Sequence, residues 1–220
     1  KKWAEKYGIN IEVKQFNDYV ESINQYTAGA FDAVSVTNMD ALSIPAAGGV
    51  DTTSVIIGDF SNGNDAIIVK GKGDVAALKG QNVNLVEYSV SHYLLARALE
   101  SAKLEEKDLK VVNTSDADMA AAFKTTEVTA VVTWKPIVST ILESPDAAKI
   151  FDSSQIPGEI IDMTVANTEV LKDNPKFGQA LAGIWYETMV ALEKDPAAKE
   201  AMAKASGTDV KGFVEQLATT

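Results

Sequence analysis

Val83-Asn-Leu-Val-Glu-Tyr-Ser-Val-Ser-His-Tyr-Leu-Leu-Ala-Arg-Ala-Leu99 is the stretch whose reading decides the fold. A short apolar run, Val83 to Val86, breaks at Tyr88–Ser91, and apolar residues then return at helical spacing as Tyr93, Leu94, Ala98 and Leu99. Such a pattern predicts a buried strand running into a helix, with Ser89, Ser91 and His92 at the junction. The first turn of a helix leaves backbone N–H groups without partners inside the helix. In open α/β sheets, ligands gather beyond the carboxyl ends of strands, where turns of this kind lie. The junction is therefore the first candidate site for a small polar ligand.

Outward from this stretch, strand-like and helical runs alternate. Ile9–Phe16 reads as a strand, and residues 18–28 as a helix closed by Gly29. Residues 31–37 read as a strand, 39–47 as a short helix broken by Pro45, and 53–57 and 66–69 as strands separated by the turn-rich Asp59-Phe-Ser-Asn-Gly-Asn-Asp65. After the junction come a strand at 110–113 and a helix that Ser115 caps, with Asp118 three residues on. A strand at 128–133 then ends in Trp134-Lys-Pro136, and further strands follow at 148–151 and 159–165. From Thr168 onward the pattern is helical. The chain opens at Lys1-Lys-Trp-Ala-Glu-Lys-Tyr-Gly8, which reads as the second half of an amphipathic helix. Alternation of this kind predicts an α/β protein with a parallel sheet.

Composition narrows the function. The 220 residues carry a net charge of −11 without an acidic tail, which disfavours nucleic acid as a partner. With no cysteine, the chain has no disulfide, thiolate metal site or cysteine nucleophile. No apolar run approaches the roughly 20 residues that span a bilayer. Gly71-Lys-Gly-Asp-Val-Ala76 matches the dinucleotide fingerprint in form, yet Gly80 ends any following helix too early, so it reads as a solvated turn. His92 is the only histidine, and no convergent set of metal ligands accompanies it. Ser89 and Ser91 lack the glycines of a nucleophile elbow, which leaves capping and ligand contact as their roles. Trp134 reads either as lobe packing or as a surface that stacks on a planar or cationic ligand. Thr37-Asn-Met-Asp40 also stands at a strand's carboxyl end, with Asn38 and Asp40 suited to capping.

Four polar strand ends thus share one direction: Thr37-Asn38, Ser89–His92, Trp134-Lys-Pro136 and the loop before Ala66. In the order Phe31-Asp-Ala-Val, Thr37-Asn-Met-Asp-Ala41, Gly58-Asp-Phe-Ser-Asn-Gly-Asn-Asp65, Ser91-His-Tyr-Leu-Leu95, Val131-Val-Thr-Trp-Lys-Pro136 and Asp162-Met-Thr-Val165, the chain resembles solute-binding proteins of ABC importers. These belong to the nitrate, sulfonate, taurine and thiamine-pyrimidine group. Thr37–Leu42, Asp59–Asn64 and Ser89–Tyr93 look closest to the urea-type binding proteins associated with urea carboxylase systems.

The resemblance implies a two-lobed periplasmic-binding-protein-like fold of type II, with C-terminal helices on lobe one. Residues 1–68 with 166–220 would form lobe one and 69–165 lobe two, with crossovers near 65–70 and 162–167. It further implies a ligand cleft between the lobes, a membrane permease as partner, a periplasmic or otherwise extracytoplasmic location, a monomer, and neither cofactor, metal nor catalysis. The expected ligand-binding residues are Thr37, Asn38, Asp40, Asn64, Asp65, Ser89, Ser91, His92, Trp134 and Asp162. Arg97 is the only arginine, whereas carboxylates and side-chain amides crowd these positions. That balance favours a donor-rich ligand such as urea or guanidinium over an oxyanion such as a sulfonate or nitrate. A thiamine-pyrimidine precursor is a further alternative. An enzyme of the same fold, resembling a pyrimidine synthase, is disfavoured because that activity goes with a cysteine-rich motif.

Overall fold

The computed structural model describes residues 4–220. The chain divides into two compact units, Lys1–Asp59 with Ile161–Phe213, and Phe60–Ile160 with Val214–Thr220. These limits differ from the expected lobes. Residues 65–70 are not a crossover but an inner strand of the second unit's sheet, and residues 161–167 are the middle strand of the first unit's sheet. The chain changes units between Asp59 and Phe60, ahead of the loop before β3, and between Ile160 and Ile161, where β8 begins. The last seven residues join the second unit, where Thr219 accepts the Asn62 N–H at 2.8 Å.

In chain order, the first unit begins with a single 3-10 turn at Ala4–Tyr7. Lys1, Lys2 and Trp3 of the expected opening helix lie outside the described residues. Helix α1 (Tyr19–Thr27) starts where the Asp18 side chain accepts the Glu21 N–H. Strand β1 (Ala33–Thr37) feeds the short α2 (Asn38–Ala41), capped by Thr37, and a wider turn at Leu42–Ala46 carries Pro45. Strand β2 (Thr52–Phe60) closes this first pass.

The second unit contains β3 (Asp65–Lys70), β4 (Asn82–Leu85), α3 (Val90–Ser101), β5 (Lys110–Asn113) and α4 (Asp116–Phe123). It continues with β6 (Ala130–Trp134), α5 (Ile137–Leu142) and β7 (Ala147–Asp152). The chain then returns as β8 (Ile161–Asn167), followed by α6 (Thr168–Asp173), α7 (Pro175–Lys194), α8 (Pro196–Ala205) and α9 (Val210–Leu217).

Sheet order is β1-β8-β2 in the first unit and β5-β4-β6-β3-β7 in the second. The expectation of a parallel sheet holds for only part of the second: β4 runs parallel to β5 and β6, but β3 is antiparallel to β6 and β7. In the first unit β8 is antiparallel to β1. The helical crossover α5 keeps β6 and β7 running the same way, and β3, which enters the sheet between them directly from the loop after β2, runs opposite to both.

Residues 9–16 also depart from expectation. They alternate like a strand but pair with no strand among the described residues, and Val13 is 86% exposed. A strand needs a neighbour for its backbone groups; without one the segment stays irregular, anchored by Phe16 edge-on to Phe31 at 5.6 Å.

The second unit holds the largest core. In α3, Val90, Leu94, Leu95, Ala98 and Leu99 recur every three to four residues and bury one stripe against Ile67, Val83, Leu85 and Val132. Burying each leucine contributes roughly 1.5–3 kcal/mol. Met119 and Phe123 of α4 and Val138 and Ile141 of α5 cover the opposite face through Ala66, Ile68 and Val131. This clamp holds the start of α3 beside the carboxyl end of β4. In the first unit, Ile23 and Tyr26 of α1 pack on Val36 and Val165.

Candidate functional site

In the second unit, the polar residues at the head of α3 are almost all engaged. Ser89 is the N-cap: its Oγ accepts the Ser91 N–H at 3.2 Å and donates to the Val86 carbonyl at 2.7 Å. His92 is held from both sides. Its Nδ1 accepts the Tyr88 N–H at 3.2 Å, so in the neutral ring Nε2 carries the proton and donates to Glu106 Oε2 at 2.9 Å. That arrangement leaves His92 a supporting group. Ser91 differs. Its side chain is 1% exposed, and Oγ has no hydrogen-bond partner.

Asn64 and Asp65 stand where a loop enters β3. Asp65 is buried and accepts from Ser61 Oγ at 2.5 Å; Ser153 donates to Ser61 at 2.6 Å and accepts the Gly63 N–H at 2.7 Å. The Asn64 carbonyl accepts the Lys135 N–H at 3.1 Å, while its side-chain Oδ1 is buried with no partner. Trp134 ends β6, half-buried and directly across from Asp65 in the β3–β6 register. Arg97 is committed elsewhere, donating to Glu159 at 2.8 Å and 3.0 Å and also bonded to Glu100.

The first unit brings together Thr37, Asp40 and a residue absent from the sequence reading, Tyr19. The Tyr19 hydroxyl donates to Asp40 Oδ2 at 2.8 Å and accepts the Thr37 N–H at 3.0 Å; Thr37 Oγ1 reaches the same Oδ2 at 2.9 Å. Asp40 is fully buried in this cap. Burial first, then the Asp40 charge, pushes the Tyr19 hydroxyl well above its usual value, so it stays a donor. Asn38 accepts the Ile161 N–H at 3.1 Å, tying the head of α2 to β8.

Asp162 lies directly opposite Thr37 in the β1–β8 register and faces a cavity of about 300 Å³ lined by Tyr19, Gly58, Asp59, Met163 and Trp185 among others. Among the described residues, no lysine, arginine or histidine lines it. A Cβ on Gly58 would stand 3.3 Å from both the Trp185 indole and the Asp162 carbonyl, so glycine is what lets the indole approach the sheet here. The Asp59 carboxyl lies beside that of Asp162, and its Oδ1 is buried with no hydrogen-bond partner. Burial raises the Asp59 carboxyl above the usual carboxylate range, with Asp162 opposing. A carboxyl pair of this kind offers acceptors to N–H donors.

Asp59, Tyr19 and Trp185 are thus the residues that sequence reasoning missed. Asp59 closes an apolar strand, Val55-Ile-Ile-Gly-Asp59, which is a visible signal; Tyr19 and Trp185 sit in ordinary helical patterns and carry none. Among the described residues, no group of three or more side chains is arranged to hold a metal ion. None of the described helices is long and apolar enough to cross a membrane.

A model of the NMT1-like family matches residues 1–207. The chain belongs to the NMT1-like family. This family member is 25% identical over 175 residues to a Brucella abortus (strain 2308) protein named only as a candidate binding protein, covering 78% of the chain and 54% of that protein. The chain therefore spans about half the length of the curated relatives it matches. In fold it is similar to the alkanesulfonate-binding protein SsuA of Xanthomonas axonopodis pv. citri, solved bound to MOPS. That match has a TM-score of 0.84 at 21% identity and covers 99% of this chain and 76% of that one. It is likewise similar to the periplasmic aliphatic sulphonate-binding protein SsuA of Escherichia coli, with TM-score 0.81 and 23% identity over 98% of this chain and 75% of that one. At these identities the likeness establishes the α/β periplasmic-binding-protein-like fold of the NMT1-like chain.

Proposed function

We propose that the protein is the solute-binding component of an ABC importer, working outside the cytoplasm and delivering a small nitrogen-rich ligand to a membrane permease. Urea, guanidinium or a related amide is the ligand class, and the protein returns it chemically unaltered. The observation that supports this most is the Asp59–Asp162 pair in a cavity to which none of the described residues brings a basic side chain. Two carboxyls accept from N–H donors, whereas an oxyanion there would meet charge of its own sign. The chain's one arginine is held by Glu159 and its one histidine by Glu106, so neither supplies a counter-charge.

A second reading, an oxyanion such as a sulfonate, is favoured by the unpartnered Ser91 hydroxyl at the start of α3, where the helix dipole suits negative charge.

A thermal-shift panel of urea, guanidinium, short amides, taurine and nitrate, followed by calorimetry, separates the two. Urea or guanidinium should raise the melting temperature, by the linkage between binding and folding, and Asp162→Asn should weaken that ligand more than tenfold. A response to taurine or nitrate alone would transfer the function to the second reading. No response to any of them would remove solute binding of these classes.

A further inference from the structure

Asp59, near the end of β2, and Asp162, near the start of β8, share a cavity of about 300 Å³ whose described lining residues all belong to the first unit. The other elements around it bring no counter-charge. Helix α1 supplies Tyr19, whose hydroxyl is spent on Asp40 of α2; β1 supplies Ser35 and Val36, and α7 supplies Trp185. Asp59 Oδ1 is closed to solvent and has no hydrogen-bond partner.

An acceptor oxygen sealed from water and left unused is costly, and a second carboxyl beside it adds like-charge repulsion when both ionise. Two such groups hold one proton between them more readily than either would alone. Burial acts on Asp59 in the same direction. A neutral amide brings N–H donors to this pair but leaves its second charge uncompensated. A guanidinium-type cation brings planar N–H forks that match carboxylates, together with a positive charge that does the work of the proton. The Trp185 indole in the same cavity also attracts positive charge more than a neutral molecule.

We propose that the Asp59–Asp162 pair makes this site selective for a guanidinium-type cation over neutral urea, and that the cation enters by displacing the proton the two carboxyls share. That proton passes to the buffer, so the pair gains one negative charge as the ligand adds one positive, and the net charge in the cavity stays constant. The inference rests on the nitrogen-rich ligand class proposed above and narrows it.

Calorimetric titration of millimolar guanidinium chloride and of urea tests this at several values between about pH 7 and about pH 4.5, above the ordinary aspartate value of about 3.9. Ligand-free melting curves at each pH keep the comparison to folded protein, and buffers of different ionisation enthalpy count the protons exchanged. Guanidinium affinity should fall about fivefold or more toward the acid end, with protons released on binding there, because proton and cation compete for the pair. Urea should bind at least about tenfold more weakly than guanidinium at pH 7 and release no proton. Asp59→Asn should bind guanidinium more than about tenfold more weakly and lose the pH dependence. A guanidinium affinity that stays level across this range, or a pH dependence that survives in Asp59→Asn, overturns the proposal. Wild-type binding of urea as tight as that of guanidinium overturns this inference alone and leaves the ligand class standing. Binding of neither overturns both.

Discussion

Ser61 shows how much one small side chain carries. It is fully buried, donates to Asp65, and accepts from Ser153, which in turn fixes the Gly63 N–H. Ser61→Ala would remove a donor from a buried carboxylate and strand the Ser153 proton. The expected loss is about 2–3 kcal/mol, read as a lower melting temperature by calorimetry, since hydrogen bonds to charged groups are worth more than neutral ones. A melting temperature equal to the wild type would show that the loop ahead of β3 does not depend on this network. Residue identity also explains why Asp40 and Asp162, similar in sequence, differ in consequence. Asp40 is enclosed by Thr37 and Tyr19, whereas Asp162 meets a second carboxyl in a cavity.

Elements are joined by a few charged clasps, and the strongest ties α3 to the segment ahead of β8. Arg97 and Tyr93, one turn apart on α3, both donate to Glu159, with the Tyr93 hydroxyl at 2.6 Å from Oε2. The Arg97 hydrogen bond first, then that from Tyr93, holds the Glu159 carboxyl down at about 2, against an ordinary value of 4.5. A carboxylate whose folded value lies below its unfolded one stabilises the fold fully above the unfolded value. That contribution is lost as pH falls from about 4.5 toward 2. Glu159→Gln should therefore melt lower than the wild type at pH 7, with the gap closing as pH drops through this window. A gap independent of pH would mean that the clasp acts through packing and not through charge.

At the scale of the whole molecule, charge imbalance dominates. With 31 acidic against 20 basic residues, the folded chain repels itself. Raising sodium chloride from about 10 mM to about 0.2 M shortens the Debye length from about 30 Å to below 8 Å, which should lift the melting temperature by roughly 2–4 °C. A flat or falling curve would show that local ion pairs such as Arg97–Glu159 outweigh the net repulsion.

Much of the chain's local structure was legible in its sequence because local physics specified it. Ser89 and Ser115 cap the helices they precede, as their side-chain chemistry demands. Gly71–Ala76 leads only into a single turn at Val75–Leu78, because no helical stripe follows. The apolar runs of β3, β4 and β6 are buried strands for the same reason. What the sequence left open is everything that depends on neighbours distant in the chain. Residues 9–16 alternate as a strand does, yet only a hydrogen-bonding partner could have made them one. The direction of β3 against β6 depends on where the chain enters the sheet, not on any residue within it. Asp59 and Asp162 are separated by a hundred residues and meet because β2 and β8 share one sheet. A carboxyl pair is a property of that juxtaposition, and no local pattern encodes it.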